Sequence, residues 1–140
     1  MDPIALNTAT TSALKKKRVL VIDDDENLRK VLLEALHVAG FESDGASNGD
    51  DGLKKAFDTH PDAIMLDVMM PKLTGWQVLE KLRTDAWGKK AKVLMLTSLD
   101  QADNIAHAMD KDVFNYIVKS DLDLNNIATT VNNLIKNPIM

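Results

Sequence analysis

The stretch IMLDVMMPKLTG, residues 64–75, contains the pattern that decides the fold. It begins with a short, continuous apolar run, which is typical of a buried parallel strand, and the run ends on the single carboxylate of Asp67. Thr74 then stands three residues before Gln77, the spacing of a capping box, so a helix is predicted to start there. The stretch thus predicts a strand, a turn and a helix, with one charged side chain where the strand ends.

The same alternation of strand and helix repeats along the whole chain. Apolar runs predict strands at 19–22, 41–46, 63–66, 92–96 and 114–118. Helical patterns follow each strand: one ends at Gly40, Asn48, Thr74 and Asp123 are suited to cap three others, and the remaining helix is predicted around Gln101 to Met109. We therefore predict a flavodoxin-like α/β fold, a (βα)5 three-layer sandwich whose five-stranded parallel sheet has the order 2-1-3-4-5.

The length of 140 residues predicts one domain. Residues 1–16 have no apolar period and are predicted to be a disordered tail, residues 17–137 the folded domain, and residues 138–140 a short C-terminal tail. The basic cluster from Lys15 to Arg18 precedes a buried strand. We interpret its residues as solvated gatekeepers that flank the strand rather than as a phosphate-binding or lipid-binding patch.

Composition argues against several classes of function. The net charge of -4 offers no basic surface for direct nucleic-acid binding, and the absence of cysteine removes disulfides and thiolate chemistry. No apolar run reaches the ~18 residues that a membrane span needs, and the N-terminus lacks the order of a signal peptide. We therefore expect a cytoplasmic protein without a membrane segment.

Acidic side chains follow two strands that should be neighbours in the sheet. Asp23, Asp24 and Asp25 follow the first strand, and Asp67 follows the third. Two carboxylates ~4 Å apart at an effective dielectric of ~20 repel each other by about 4 kcal/mol, so a cation is expected between them, and oxygen ligands favour Mg²⁺. The alternative is that these aspartates only cap the first helix, which suits Asp25 but does not explain Asp67.

Two further polar groups follow the other strands at the same edge of the sheet. Thr97 comes after the fourth strand and Lys119 after the fifth. A hydroxyl, an ammonium, an acidic metal site and a lone carboxylate together suit phosphoryl transfer, with Asp67 as the nucleophile that becomes an aspartyl phosphate.

These residues resemble the receiver domain of two-component response regulators, of the kind found in chemotaxis regulators. The resemblance covers about Arg18 to Lys136 and rests on the acid pair, the motif LDVMMPKLTG, the Thr-Ser pair after strand four, the tyrosine near the end of strand five and the lysine after it. It implies a signalling domain that catalyses only its own phosphorylation and dephosphorylation, so the chain is not expected to be an enzyme in the usual sense.

The resemblance also implies a role for each matching position. Asp67 would accept the phosphoryl group, and Asp24 would bind Mg²⁺ directly, Asp23 through water and Met69 through its backbone carbonyl. Thr97 and Lys119 would contact the phosphoryl group, while Thr97 and Tyr116 would form the switch.

The resemblance implies partners as well. A sensor histidine kinase or phosphotransfer protein would supply the phosphoryl group. A downstream protein would bind the face formed by the fourth helix, the fifth strand and the fifth helix, and the family allows a phosphorylation-dependent dimer.

Two departures from the family and two competing functions remain. Lys119 is followed by Ser120 rather than proline, which argues against a cis peptide, and Asp112-Val113 replaces the usual Gly-Ala. Haloacid dehalogenase phosphatases also use an aspartate nucleophile, but they need a second aspartate where this chain has Met69. A receiver-like interaction module that is never phosphorylated is the remaining alternative.

Overall fold

The computed structural model describes residues 15–98 and 115–136. The strands in these residues are β1 (Arg18–Ile22), β2 (Glu42–Ala46), β3 (Ala63–Asp67), β4 (Val93–Thr97) and β5 (Asn115–Val118). The α-helices there are α1 (Glu26–Val38), α2 (Gly49–Thr59), α3 (Gly75–Arg83) and α4 (Ile127–Lys136). Three short 3-10 turns span Gly88–Lys90, Lys119–Asp121 and Leu124–Asn126.

Several sequence predictions lie outside the described residues. They are the tail up to residue 14, the helix predicted around Gln101 to Met109, the Asp112-Val113 loop, the first residue of the predicted fifth strand and the C-terminal tail. Helix α4 is therefore the helix predicted as the fifth.

The predicted sheet is confirmed. All neighbouring strands run parallel, and their order is β2-β1-β3-β4-β5. Strand order reverses at the β1/β3 junction, where Ile22 is in register with Leu66. This reversal leaves the ends of β1 and β3 open to one crevice, which is where ligands bind in doubly wound sheets.

Helices cover both faces of the sheet because alternate strand residues point to opposite sides. On one face, Leu20, Ile64 and Val93 belong to the core formed with α2 and α3. On the other, Val21 and Met65 belong to the core formed with α1 and α4. The central strands are buried on both faces, which explains their continuous apolar runs.

The predicted helix boundaries are largely confirmed by their capping contacts. The side chains of Asp25 and Asn48 accept hydrogen bonds from the first turns of α1 and α2, and Thr74 forms the predicted capping box with Gln77. Asp123 caps the 3-10 turn that leads into α4 rather than α4 itself. Helix α1 is followed by Gly40 at φ 97°, a left-handed conformation that favours glycine.

Candidate functional site

Asp23 lies immediately after β1 and is fully buried. Its backbone N–H donates to the carbonyl of Ala46 at 3.1 Å, which continues the contact between β1 and β2 past the last strand residue. Its Oδ1 accepts the N–H of Asp25 at 2.9 Å. The first carboxylate of the site is therefore held by backbone contacts on both sides.

Asp67 is the last residue of β3 rather than the residue after it, and only 3% of it is exposed. Its Oδ1 accepts the N–H of Met69 at 3.3 Å. Helix α3 starts directly against the strand end, since a Cβ at Gly75 would overlap the Asp67 carbonyl oxygen. The close approach of α3 thus encloses the backbone of Asp67 while its carboxylate faces the crevice.

Lys119 joins the two buried carboxylates. Its Nζ lies 3.1 Å from Asp23 Oδ2 and 3.3 Å from Asp67 Oδ1, with 28% of its side chain exposed. It follows β5 directly and begins a 3-10 turn. The structure has no cis peptide among the described residues, so the Lys119–Ser120 bond is trans, as the absence of proline predicts.

The carboxylates of Asp23, Asp24 and Asp67 form a cluster that fits a divalent cation. Each offers one oxygen, and these oxygens lie within 4.8 Å of one another. Asp24 is exposed while the other two are buried, so the cluster opens to solvent on one side. Hard oxygen donors with an open side suit Mg²⁺, which keeps part of its water shell.

Burial governs the electrostatics of this cluster. Burial first, and then the charge of Asp23, raises the pKa of Asp67 to about 7, although Lys119 acts in the opposite direction. For Lys119, burial lowers the pKa, but the hydrogen bond to Asp23 and the nearby carboxylate charges outweigh it and leave the pKa raised. The cluster thus has three carboxylates and one ammonium, which pairs with two of them, and the site favours a further positive charge.

The two residues predicted to form the switch, Thr97 and Tyr116, lie on β4 and β5. Thr97 is the last residue of β4, is buried, and donates its hydroxyl to the Ser98 carbonyl at 3.1 Å. It is one position along the chain from Leu96, which is in register with Asp67. Tyr116 lies two residues before the end of β5 and is 39% exposed, so the structure does not place it at the carboxylate cluster.

Sequence reasoning gave no role to two residues that contact the site. Arg29 donates from Nη1 to the Asp23 carbonyl at 2.8 Å, and Gly75 packs against the backbone of Asp67. Gly75 ends the motif LDVMMPKLTG, and a glycine at the start of a helix could have indicated that the helix packs closely against the strand. Arg29 had no such signal, because an arginine on a helix is ordinarily a solvated residue.

Comparison with known proteins gives one family. The model of the response regulator receiver domain matches residues 19–132. The Escherichia coli K12 protein HprR, a transcriptional regulatory protein, is 34% identical over 102 residues, which are 73% of this chain and 44% of HprR. Regulatory protein AtoC of the same organism is 32% identical over 76% of this chain and 23% of its own length. The chain thus spans less than half the length of these relatives.

Solved structures give the same fold. Chemotaxis protein CheY4 of Vibrio cholerae is 26% identical with a TM-score of 0.77, covering 85% of this chain and 98% of that one. Response regulator protein TrrA of Thermotoga maritima, in complex with Mg²⁺-BeF, is 33% identical with a TM-score of 0.71, covering 84% and 98%. In the part of the chain that the structure describes, every helix is too short or too polar to span a bilayer.

Proposed function

The chain belongs to the family of response regulator receiver domains, and we propose that it receives a phosphoryl group on Asp67 from a histidine kinase or phosphotransfer protein. The observation that carries this proposal is the contact of Lys119 with both Asp67 and Asp23, beside a cluster of three carboxylates. A nucleophile, a cation-binding acid pair and a fixed ammonium then meet in one crevice. Phosphoryl transfer needs these parts and little else.

The carboxylate of Asp67 is the nucleophile in this proposal. One of its oxygens bonds to phosphorus while the bond from phosphorus to the donor's nitrogen breaks, and the donor nitrogen keeps the electron pair. Lys119 lies 3.3 Å from Asp67 and offsets charge on the transferred group, and Thr97 supplies a hydroxyl to one of its oxygens. The domain itself thus catalyses its own phosphorylation and the later hydrolysis of the aspartyl phosphate.

The metal site in this proposal uses Asp24, Asp67 and the Met69 backbone carbonyl directly, and Asp23 through water. Mg²⁺, when bound, supplies positive charge to the equatorial phosphoryl oxygens. The TrrA complex with Mg²⁺-BeF supports the assignment for a related chain. The carboxylate cluster of this chain supports it independently.

We assign the switch to Thr97 and Tyr116. A new phosphoryl group would attract Thr97 and Lys119, and the change in packing would favour one of two arrangements of Tyr116. Tyr116 is 39% exposed on β5, beside the face that α4 helps to form. A downstream protein, or a second phosphorylated copy, would bind that face in the cytoplasm.

Phosphorylation by a small phosphodonor tests the function. The protein is incubated with acetyl phosphate and Mg²⁺, and intact mass is measured. We expect a gain of one phosphoryl group that is lost in Asp67→Ala and in chelator. Asp58→Ala, which removes an exposed aspartate paired with Lys54, is the matched control and should gain the group normally. A parent protein that gains no mass, or an Asp67→Ala variant that does, would contradict the proposal.

A further inference from the structure

We infer that Arg29 is a positioning residue for the metal-binding acid pair, and this inference rests on the proposed Mg²⁺ site. Arg29 lies on α1, outside the group of residues that the proposed chemistry uses. Its role would be to fix the backbone that joins Asp23 to Asp24, so that both carboxylates are already placed when the cation arrives. Three contacts of Arg29 support this role.

The first contact satisfies a carbonyl that the sheet leaves without a partner. The strand register of β1 ends at Ile22, so the Asp23 carbonyl lies beyond the ladder. Arg29 Nη1 donates to this oxygen at 2.8 Å. That carbonyl belongs to the peptide group between Asp23 and Asp24, and fixing it therefore fixes the direction in which the chain presents Asp24.

The second contact explains how the arginine reaches this position. A Cβ at Gly45 would lie 3.1 Å from Arg29 Cδ and 3.3 Å from Cγ, tighter than ordinary packing. The arginine stem therefore crosses β2 at the one position of that strand that has no side chain. Gly45 has no positive φ, so its value here is the space that it leaves rather than its conformational freedom.

The third contact ties Arg29 to the start of α1. Its backbone N–H makes the first i to i−4 hydrogen bond of the helix, to the Asp25 carbonyl at 2.9 Å, and this bond does not depend on the side chain. The Asp25 side chain caps the same helix. The Asp25 N–H in turn donates to Asp23 Oδ1. Arg29 thus closes a ring of contacts that runs through the whole acidic segment from Asp23 to Asp25.

Charge alone and a positioning role predict opposite changes in Mg²⁺ affinity when Arg29 is removed, so an experiment can distinguish them. A guanidinium near the cluster repels a divalent cation, so its removal would strengthen Mg²⁺ binding if only Coulomb forces mattered. If Arg29 positions the acid pair, its removal weakens binding. Substitution of residues that orient metal ligands typically lowers metal affinity by about 10-fold to 100-fold.

The test is a calorimetric titration with Mg²⁺ of the parent, Arg29→Met and Arg29→Lys. Methionine keeps an unbranched stem over Gly45 without the donor, and lysine keeps the charge and one donor group. We expect Arg29→Met to bind Mg²⁺ about 10-fold more weakly, and Arg29→Lys to recover part of the loss. The matched control is Lys30→Met, which removes a neighbouring exposed charge that pairs with Glu26 at 3.4 Å. This variant should bind Mg²⁺ as the parent does or slightly better.

Gly45→Ala gives a second route that leaves Arg29 in place. The new methyl group would lie 3.0 Å from Leu33 Cδ1 and 3.1 Å from Arg29 Cδ, so the arginine stem and Leu33 must both shift. Mg²⁺ affinity should fall, and combining Gly45→Ala with Arg29→Met should add little further loss. Circular dichroism checks that each variant is folded. If Arg29→Met does not fold, the Mg²⁺ affinity of Gly45→Ala decides whether Arg29 positions the acid pair. A parent that binds no Mg²⁺ would refute the proposed function itself. Parent-like or tighter binding by the folded variants would refute only the role of Arg29.

Discussion

Asp67 is a buried carboxylate beside a second buried carboxylate, and this makes it costly to keep charged. Burial and the Asp23 charge raise its pKa to about 7, while Lys119 recovers only part of the cost. In the proposed reaction Asp67 must be ionised to act as the nucleophile, so both cation binding and phosphoryl transfer would depend on this balance. The same balance predicts a measurable effect on stability.

We expect the stability advantage of Asp67→Asn over the parent to grow with pH when no metal is bound. The folded pKa is about 7 and the ordinary value is 3.8, so between these values the folded state holds a proton that the unfolded state has lost. Stability from this group is therefore present below the ordinary value and is lost as pH rises through 7. The advantage of the variant should widen by roughly 2 to 3 kcal/mol between pH 5 and pH 8.

Urea unfolding in chelator at both pH values measures this difference. Asp58→Asn, a change at an exposed aspartate, serves as the control and should show no comparable widening. A gap between Asp67→Asn and the parent that is the same at both pH values would show that Asp67 does not titrate as described.

Among the residues that the structure describes, two that are not glycine adopt left-handed backbone conformations, and they should respond differently to substitution. Lys72 has φ 68° and an exposed side chain, whereas His60 has φ 46° and stacks on Trp87 at a ring distance of 4.3 Å. Asparagine tolerates this conformation better than most residues. Lys72→Asn should therefore raise the free energy of unfolding by about 0.5 kcal/mol, whereas His60→Asn should not, because it loses the ring contact. Thermal unfolding of both variants checks the contrast, and an equal gain at both positions would contradict it.

At the scale of elements, the site depends on how closely the helices start against the strand ends. Parallel strands bring their carboxyl ends to one edge, and each helix must begin within a few residues of that edge. Helix α3 achieves this through Gly75, whose N–H donates to the Val68 carbonyl at 2.9 Å. The Thr74–Gln77 capping box fixes where the helix begins.

Gly75→Ala should impair phosphorylation more than its effect on stability explains. The added methyl group would overlap the Asp67 carbonyl oxygen and displace the strand end. Gly88→Ala is the matched control, because its methyl group would overlap the Leu82 carbonyl near the other end of α3. We expect both variants to lose about 1 to 3 kcal/mol of stability, as overpacking does, and only Gly75→Ala to gain the phosphoryl group more slowly. Intact mass over time measures the rate, and equal rates in the two variants would contradict this.

In the whole molecule, the acid cluster joins the ends of β1 and β3 and Lys119 adds the end of β5, so a bound cation should stabilise the entire fold. Asp23 follows β1, Asp67 ends β3 and Lys119 follows β5. Nothing in the unfolded chain brings these residues together, and Mg²⁺ should therefore bind the folded state alone.

Mg²⁺ at about a hundred times its dissociation constant should raise the free energy of unfolding by about 2.7 kcal/mol. Asp24→Asn should reduce this gain, because it removes the exposed carboxylate of the cluster, while leaving stability without metal nearly unchanged. Thermal unfolding with Mg²⁺, and with NaCl at equal ionic strength, separates binding from screening. An equal effect of the two salts would exclude a specific site.

Much of the fold was predictable because short sequence patterns indicate where strands lie and where helices begin. Continuous apolar runs predicted β1, β3 and β4, since strands buried on both faces need apolar residues at every position. Asn48 and Thr74 identified the starts of α2 and α3, because their side chains satisfy backbone N–H groups only a few residues away. Asp123 was harder to interpret, since a 3-10 turn and an α-helix use the same capping contact.

The order of the elements, the parallel sheet and the carboxylates at its edge could all be inferred from the sequence, since they follow from periodicity, capping and the geometry of right-handed crossovers. Which of these groups contact one another follows from the tertiary structure alone. The contact of Lys119 with Asp23 and Asp67, the raised pKa of Asp67 and the reach of Arg29 past Gly45 each join residues on different elements. Burial and distance exist only after the chain has folded, and no local pattern encodes them.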